Sequence, residues 1–380
     1  MQGVNADFVR SLPGDRAGLA NRPSAMLRWH IDLPLLGLLL VLAGFGLMIL
    51  YSASGQDLGR VIRQGVYWLV ALAAMLVVAQ FPLKDIKALA PLGYAVGLVL
   101  LVLVLLVGDG AKGAQRWLDV FGLLRFQPSE IMKIVVPLTV ARYLSSRLMP
   151  PNLRSVVVAV LLALLPPALI VLQPDLGTAL LIGASGLFVL WLAGLRWSYL
   201  LAGALAALAS LWPAWQFMLH DYQRQRILTL FNPESDRLGS GWNIIQSKTA
   251  IGSGGLEGKG WLNGTQSHLD FLPESHTDFV IAVLAEEFGL LGVLLLLTLY
   301  LLVILRGAYI SLNARDIFGR LAAGSITLTF FVYVLVNMGM VSGLLPVVGV
   351  PLPLVSYGGT ALVTLLASFG VLMAIATEPR

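Results

Sequence analysis

Cysteine is missing from all 380 positions. That excludes a disulfide framework, a thiolate nucleophile and a thiolate metal site. Charge is scarce as well: Asp, Glu, Lys and Arg make up 12% of the chain, against roughly 25% in an ordinary soluble domain. Histidine occurs four times, with no close pair at ligand spacing on a helix, so no zinc site is expected. No basic run exists, and the net charge of +5 is mild; nucleic acid is not an expected partner. Gly252-Ser253-Gly254-Gly255 is not followed by Gly-Lys-Ser/Thr, so it is not a P-loop. It reads instead as a flexible turn or a backbone anion nest. No internal repeat or low-complexity segment stands out. The polar first 30 residues carry Arg10, Arg16, Arg22 and Arg28, without the short apolar core and small-residue cleavage site of a removable signal peptide.

What is abundant is apolar. Hydrophobic residues form 58% of the chain, in long runs broken by short polar stretches. This is the pattern of an all-α polytopic membrane protein, whose solvent is largely the bilayer. About ten transmembrane helices are predicted, near 33–52, 64–80, 88–107, 129–146, 154–172, 177–195, 199–219, 279–305, 321–341 and 360–377. Residues 1–30 read as a cytoplasmic tail and 31–380 as one membrane domain. Lysine and arginine set the orientation. The tail, alternate loops and Arg380 together hold fourteen, among them Lys84, Lys87, Arg142, Arg306 and Arg315; the other side holds eleven, nine of them in two long loops. Both termini are therefore expected in the cytoplasm. Stretches 108–133, 220–276 and 342–359 fall outside the cytoplasmic (inner) membrane, facing the periplasm.

That outer face carries the ionisable groups. His268, Asp270, Glu274, His276 and Asp278 crowd together just before an apolar run that begins at Phe279. An acid there borders both water and a low-dielectric slab, where a carboxylate can take up a proton. Read alone, Asp278 also fits a first-turn acid complementing a helix dipole, and Thr277 or Asp278 fits a helix cap. In 108–133, Lys112, Arg116 and Arg125 surround Trp117, and Pro128-Ser129-Glu130 starts a helix with Ser129 as its expected cap. Glu130 and Lys133 then lie one turn apart on one face, at the membrane edge. A structural ion pair is the bland alternative. Asp175, in Gln173-Pro174-Asp175-Leu176-Gly177, is either a site acid or an ordinary turn residue. In 220–276, residues Ile244 to Ile251 are predicted to form a short interfacial helix carrying Lys248. Pro346, Pro351, Pro353, Gly358 and Gly359 forbid a regular helix over 343–360; nonhelical backbone at membrane depth implies a buried cavity wall. Acids beside bases beside apolar helices suit an amphiphile with a phosphate headgroup and a lipid tail. The bases would hold pyrophosphate, and an acid would deprotonate a nucleophile. An enzyme and a transporter both remain open at this point.

Longer stretches resemble one family in order along nearly the whole chain after about residue 30: KGAQRWLD with FQPSE, LQPDLGT, QSKTAIGSGGLEGKGW, FLPESHTDF, and the closing segment ending in VSYGGT with Asn337 upstream. The chain is similar to the SEDS family (shape, elongation, division and sporulation). YSASGQD at 51–57 and HDYQRQRI at 220–227 resemble its rod-elongation branch more than its division branch. The resemblance implies a ten-helix fold and a peptidoglycan glycosyltransferase that polymerises lipid II. It implies a class B penicillin-binding transpeptidase and other rod-elongation membrane proteins as partners, beside membrane lipid. It places the essential acid on Asp278, a conserved pair on Glu130 and Lys133, and further motif positions on Trp117 and Asp175. Arg116, Arg125 and Lys248 join the expected substrate-binding set. The expected chemistry is inverting transfer with Asp278 as general base. No cofactor is required, although a divalent cation, Mg or Mn, would fit at the leaving group. The alternative is a lipid II flippase. Against it stand the missing repeat symmetry and the clustering of polar groups on the outer face, away from the midplane.

Overall fold

The computed structural model describes residues 30–107, 109–111, 114–120, 124–219, 221–236, 239–265 and 275–378. Lys112, His268, Asp270, Pro273, Glu274, the N-terminal arginines and Arg380 lie outside the described residues. Each expected span coincides with a helix. These are α1 (Leu33–Ala53), α2 (Leu58–Ala79), α3 (Leu83–Val107), α4 (Pro128–Ser145), α5 (Leu153–Val171), α6 (Leu176–Leu192) and α7 (Trp197–Pro213). After α8 (Asp221–Phe231) and α9 (Ser240–Gly254) come the last three spans, α10 (Val280–Asn313), α11 (Ile317–Val341) and α12 (Thr360–Ala376). By length and composition, seven helices among the described residues can cross a membrane. α6 and α12 are shorter apolar helices, and α4 carries the Glu130–Lys133 pair. The all-α expectation has one exception. Strands β1 (Asp109–Ala111), β2 (Ala114–Val120) and β3 (Leu124–Phe126) form a small antiparallel sheet between α3 and α4.

Helix starts follow local chemistry. Asp32, Asp57, Asn152 and Asp175 each accept a backbone N–H as N-caps of α1, α2, α5 and α6. Small residues let helices approach where the bilayer supplies no hydrophobic drive. A Cβ on Gly186 would lie 2.4 Å from Ala163 Cβ, between α6 and α5. One on Gly370 of α12 would lie 2.5 Å from the Met75 carbonyl of α2. At the centre, Tyr300, Phe330 and Phe369 stack edge to face with centroids 5.7 and 5.3 Å apart, joining α10, α11 and α12. α7, continued by a π-helical turn over Ala214–Met218, has no buried residue.

One end of the bundle is tied by Lys87–Asp316 (3.1 Å), Arg306–Asp32 (2.5 Å) and His30 to Thr377 (2.9 Å). Asp175, Glu130 and Asp278 all lie at the other end, where α6, α4 and α10 begin.

Candidate active site

Asp278 lies in a tight turn, 275–279, leading into α10. The turn is held by its backbone carbonyls. His276 O accepts from Tyr357 N at 2.9 Å. Thr277 O accepts from Ser356 Oγ at 2.5 Å. Asp278 O accepts from Asn337 Nδ2 at 2.9 Å, and the same amide donates to Val350 O at 2.8 Å. Asn337 is fully buried. Three consecutive carbonyls are thus clamped by α11 and by the Pro-rich segment 343–359. The half-buried Asp278 side chain lies against Gly349, whose φ of +74° favours glycine. A Cβ there would lie 3.6 Å from Asp278 Oδ2. The expected capping role is corrected: the N-cap of α10 is Phe279, with no side-chain cap bond. The turn is tied off elsewhere, with Ser275 Oγ donating to Ala53 O at 2.9 Å.

Segment 343–359 is irregular as expected, and its middle is buried in protein: Leu352, Leu354 and Val355 are all under 5% exposed, whereas Leu344 near its start is exposed. Three helices satisfy its backbone. Gln64 of α2 donates to Ser356 O (3.3 Å) and accepts from Gly358 N (3.2 Å). Tyr300 Oη of α10 donates to Pro353 O (2.6 Å), and Asn337 of α11 binds Val350 O. This is how nonhelical backbone survives at membrane depth.

Glu130 and Lys133 pair as the one-turn spacing predicts, Nζ to Oε1 2.6 Å, with side chains 11% and 16% exposed. Ser129 is not the cap; α4 begins at Pro128, where a missing N–H costs nothing. Ser129 is instead buried within the first turn. Lys133 Nζ sits 5.4 Å from the ring centroid of Tyr333 on α11, one turn from Asn337. One face of α11 therefore connects the clamp on Asp278 with the Glu130–Lys133 pair. A cavity of about 60 Å³ opens beside them, lined by Lys133, Thr329, Tyr333, Ser356 and Tyr357 at its polar part and by Phe330 and Leu362 at its apolar part. Asp175 belongs to the same end. It caps α6 through Thr178 N (3.3 Å) and accepts from Gln127 Nε2 (3.1 Å), the residue preceding α4.

Other predicted residues are placed differently. Trp117 is half-buried on β2, paired across the ladder with Asp109; Arg116 follows the same strand, and Arg125 on β3 pairs with Asp119. Only their strand positions are described for the two arginines. Lys248 is exposed on α9. Its Nζ lies 2.5 Å from where a Cβ would stand on Gly343, at the start of the Pro-rich segment. The expected short helix 244–251 is longer, Ser240–Gly254. The Gly252–Gly255 run, read as a turn or nest, ends this helix, with Gly255 at φ +57°. Gln64, Tyr333 and Glu286 were not expected. Gln64 and Glu286 are polar residues inside apolar spans, the signal by which intramembrane function is recognised. Among the described residues no group of three or more His, Asp or Glu is placed to hold a metal.

The profile of the FtsW/RodA/SpoVE cell cycle protein family matches residues 32–380. Over 366 residues the chain is 52% identical to the peptidoglycan glycosyltransferase MrdB of Escherichia coli K12, covering 95% of this chain and 98% of MrdB. It is 37% identical to a probable peptidoglycan glycosyltransferase FtsW of Geobacter metallireducens, covering 92% and 95%. Among solved structures it resembles a chain from a study of how a peptidoglycan synthase complex coordinates polymerization and crosslinking (TM-score 0.79, 33% identity, 91% and 97% covered). It also resembles the rod shape determining protein RodA of Thermus thermophilus (TM-score 0.69, 31% identity, 91% and 96% covered).

Proposed function

Because the chain belongs to the FtsW/RodA/SpoVE family of cell cycle proteins, we propose a specific reading of its clamped acid and paired charges. The protein is a peptidoglycan glycosyltransferase of the RodA type. Its substrate is lipid II, used as both donor and acceptor, and its product is glycan strand for lateral wall elongation. The acceptor's 4-hydroxyl attacks the anomeric carbon of the lipid-linked donor with inversion. The new C–O bond forms as the bond to pyrophosphate breaks. The electron pair leaves with undecaprenyl pyrophosphate, and the hydroxyl proton passes to the Asp278 carboxylate. Lys133 stabilises the developing charge on the leaving pyrophosphate, and Glu130 holds Lys133 in place. Arg116, Arg125 and Lys248 guide the anionic headgroup at the rim, with Trp117 and Asp175 shaping its approach. The enzyme spans the inner membrane ten times with its site facing the periplasm. A class B penicillin-binding transpeptidase works beside it, its helix on an apolar flank and its stem over 220–276.

The observation that carries this reading is the triple clamp on His276, Thr277 and Asp278. It holds the backbone that carries the Asp278 carboxylate at the same end of the bundle as the nearly buried Lys133–Glu130 pair, which supports a base and a leaving-group cation at one site. The test is polymerisation of lipid II by the purified protein in detergent, where no gradient exists and transport cannot be mistaken for transfer. Wild type makes polymer; Asp278→Asn, folded to the same extent, makes none. Wild-type polymerisation by that variant removes Asp278 from the base role, and no polymer from wild type favours the flippase.

A further inference from the structure

Glu286 has 0% exposed surface, and it sits eight residues past Asp278 inside an apolar helix. A carboxylate in that setting persists only when fully paired. One loop supplies three partners to its Oε1 oxygen. Lys259 Nζ lies at 2.7 Å, Thr265 N at 2.8 Å and Thr265 Oγ1 at 3.0 Å.

The backbone is joined at the same place. α10 breaks at Gly289 (φ +61°, ψ −159°). The Glu286 and Glu287 carbonyls accept from Lys259 N (3.0 Å) and Gly260 N (2.9 Å). Leu290 N and Leu291 N donate to Gly255 O (2.9 Å) and Leu256 O (3.2 Å). The loop thus replaces the helical bonds that the break removes. Three glycines permit the approach: a Cβ on Gly254 would lie 1.9 Å from Ala285 O, one on Gly258 2.2 Å from Glu287 O, and one on Gly289 2.5 Å from Gly258 N.

This clasp bears on both approaches to Asp278. On one side it fixes the first two turns of α10, which Asp278 immediately precedes. On the other it pins Thr265, which precedes the Asp278 turn in the chain. The neighbouring Glu287 accepts from Ser52 Oγ of α1, next to the Ala53 carbonyl that holds Ser275. Two consecutive carboxylates therefore secure the loop before the turn and the α1 end against which the turn is tied.

We infer that Glu286, together with Lys259, is a positioning residue for Asp278: the ion pair between the buried Glu286 and the half-buried Lys259 locks the 254–265 loop onto the broken start of α10 and thereby sets where the Asp278 carboxylate stands. The inference rests on Asp278 being the base. Glu286 itself touches no substrate.

The test uses the full-length enzyme in detergent with lipid II. Glu286→Gln keeps an acceptor for Thr265 but removes the charge opposite Lys259. Its kcat is expected to fall about ten- to a hundredfold, the effect of a reacting group misplaced by about an ångström, while KM stays within about twofold. Lys259→Gln should fall similarly, and the double variant no further than either single one. A second cycle separates positioning from general support. In an Asp278→Glu background, where the acid is already displaced, Glu286→Gln should cost under about threefold. The full loss repeated in that background, or wild-type kcat in folded Glu286→Gln, overturns the inference. If Glu286→Gln does not fold, the same measurements on Lys259→Gln decide. Asp278→Asn, run alongside, keeps the two claims apart. Its inactivity beside a fully active Glu286→Gln sinks only the positioning role, whereas its full activity sinks the base assignment first.

Discussion

At the scale of single residues, the site depends on groups that cannot be lost one at a time. Glu130 and Lys133 are each nearly buried, so deleting either leaves an unpaired charge at the membrane edge, a cost of about 3–5 kcal/mol. Glu130→Ala and Lys133→Ala are each expected to abolish most polymerisation, and the double variant to be little worse; additive losses in lipid II turnover would separate the two roles. Asn337 is a different kind of residue. Its one amide nitrogen serves both Asp278 O and Val350 O, and an apolar replacement strands two buried carbonyls at about 1–3 kcal/mol each. Asn337→Leu should therefore lower both the unfolding temperature and kcat. Asn337→Asp should fare worse, since a carboxylate facing two carbonyls has no proton to give unless it stays neutral. A folded Asn337→Leu enzyme with wild-type turnover would remove the clamp from the mechanism.

At the scale of elements, much was legible and the remainder failed for physical reasons. Each of the ten apolar runs falls on a helix, seven of them long and apolar enough to cross a membrane among the described residues, because a segment in lipid must satisfy its own backbone. The irregular 343–359 wall follows from its prolines. The Glu130–Lys133 contact follows from helical spacing. The caps misled at Ser129 and Asp278, because Pro128 starts α4 without help and the Asp278 turn is held through carbonyls, which no side-chain pattern displays. The helix carrying Lys248 was legible but not its length: α9 runs from Ser240 to Gly254, beyond the expected 244–251 at both ends. The break at Gly289 was hidden inside an unbroken apolar run; a positive φ leaves no trace in hydropathy. It does leave a testable one in stability. Gly289→Ala combines a backbone region that costs about 1–3 kcal/mol for any other residue with a Cβ 2.5 Å from Gly258 N. Gly203, on the exposed α7, has nothing within 4 Å of its Cβ position, and alanine there should be neutral or stabilising by about 0.5–1 kcal/mol. Thermal unfolding in detergent should therefore fall sharply for Gly289→Ala and hold or rise for Gly203→Ala. Equal shifts would mean that the clasp at α10 is not rigid.

At the scale of the whole molecule, the helices sort their polar groups to two ends. Lys87, Asp316, Arg142, Asp32 and Arg306 bind one another or nearby carbonyls where α3, α11 and α1 begin and α4 and α10 finish. Glu130, Asp175, Asp278 and the Lys259–Glu286 clasp occupy the opposite end. The orientation proposed from the lysine and arginine bias puts the first end in the cytoplasm; on that proposal, a lipid-linked donor in the outer leaflet meets the proposed base and cation without crossing the bilayer. The lack of cysteine makes this directly measurable, because any thiol introduced is the only one present. Thr249 on α9 and Gln56 before α2 are exposed at the site end, whereas Ser146 after α4 and Asn313 at the close of α10 are exposed at the other. In intact cells whose outer membrane has been made permeable, a maleimide that cannot cross the inner membrane should label Thr249→Cys and Gln56→Cys. It should label Ser146→Cys and Asn313→Cys only after lysis. The reverse pattern would put the site in the cytoplasm and overturn the periplasmic reaction. Labelling of all four before lysis, with a cytoplasmic control protein left unlabelled, would mean that the two polar ends are not separated by the membrane at all.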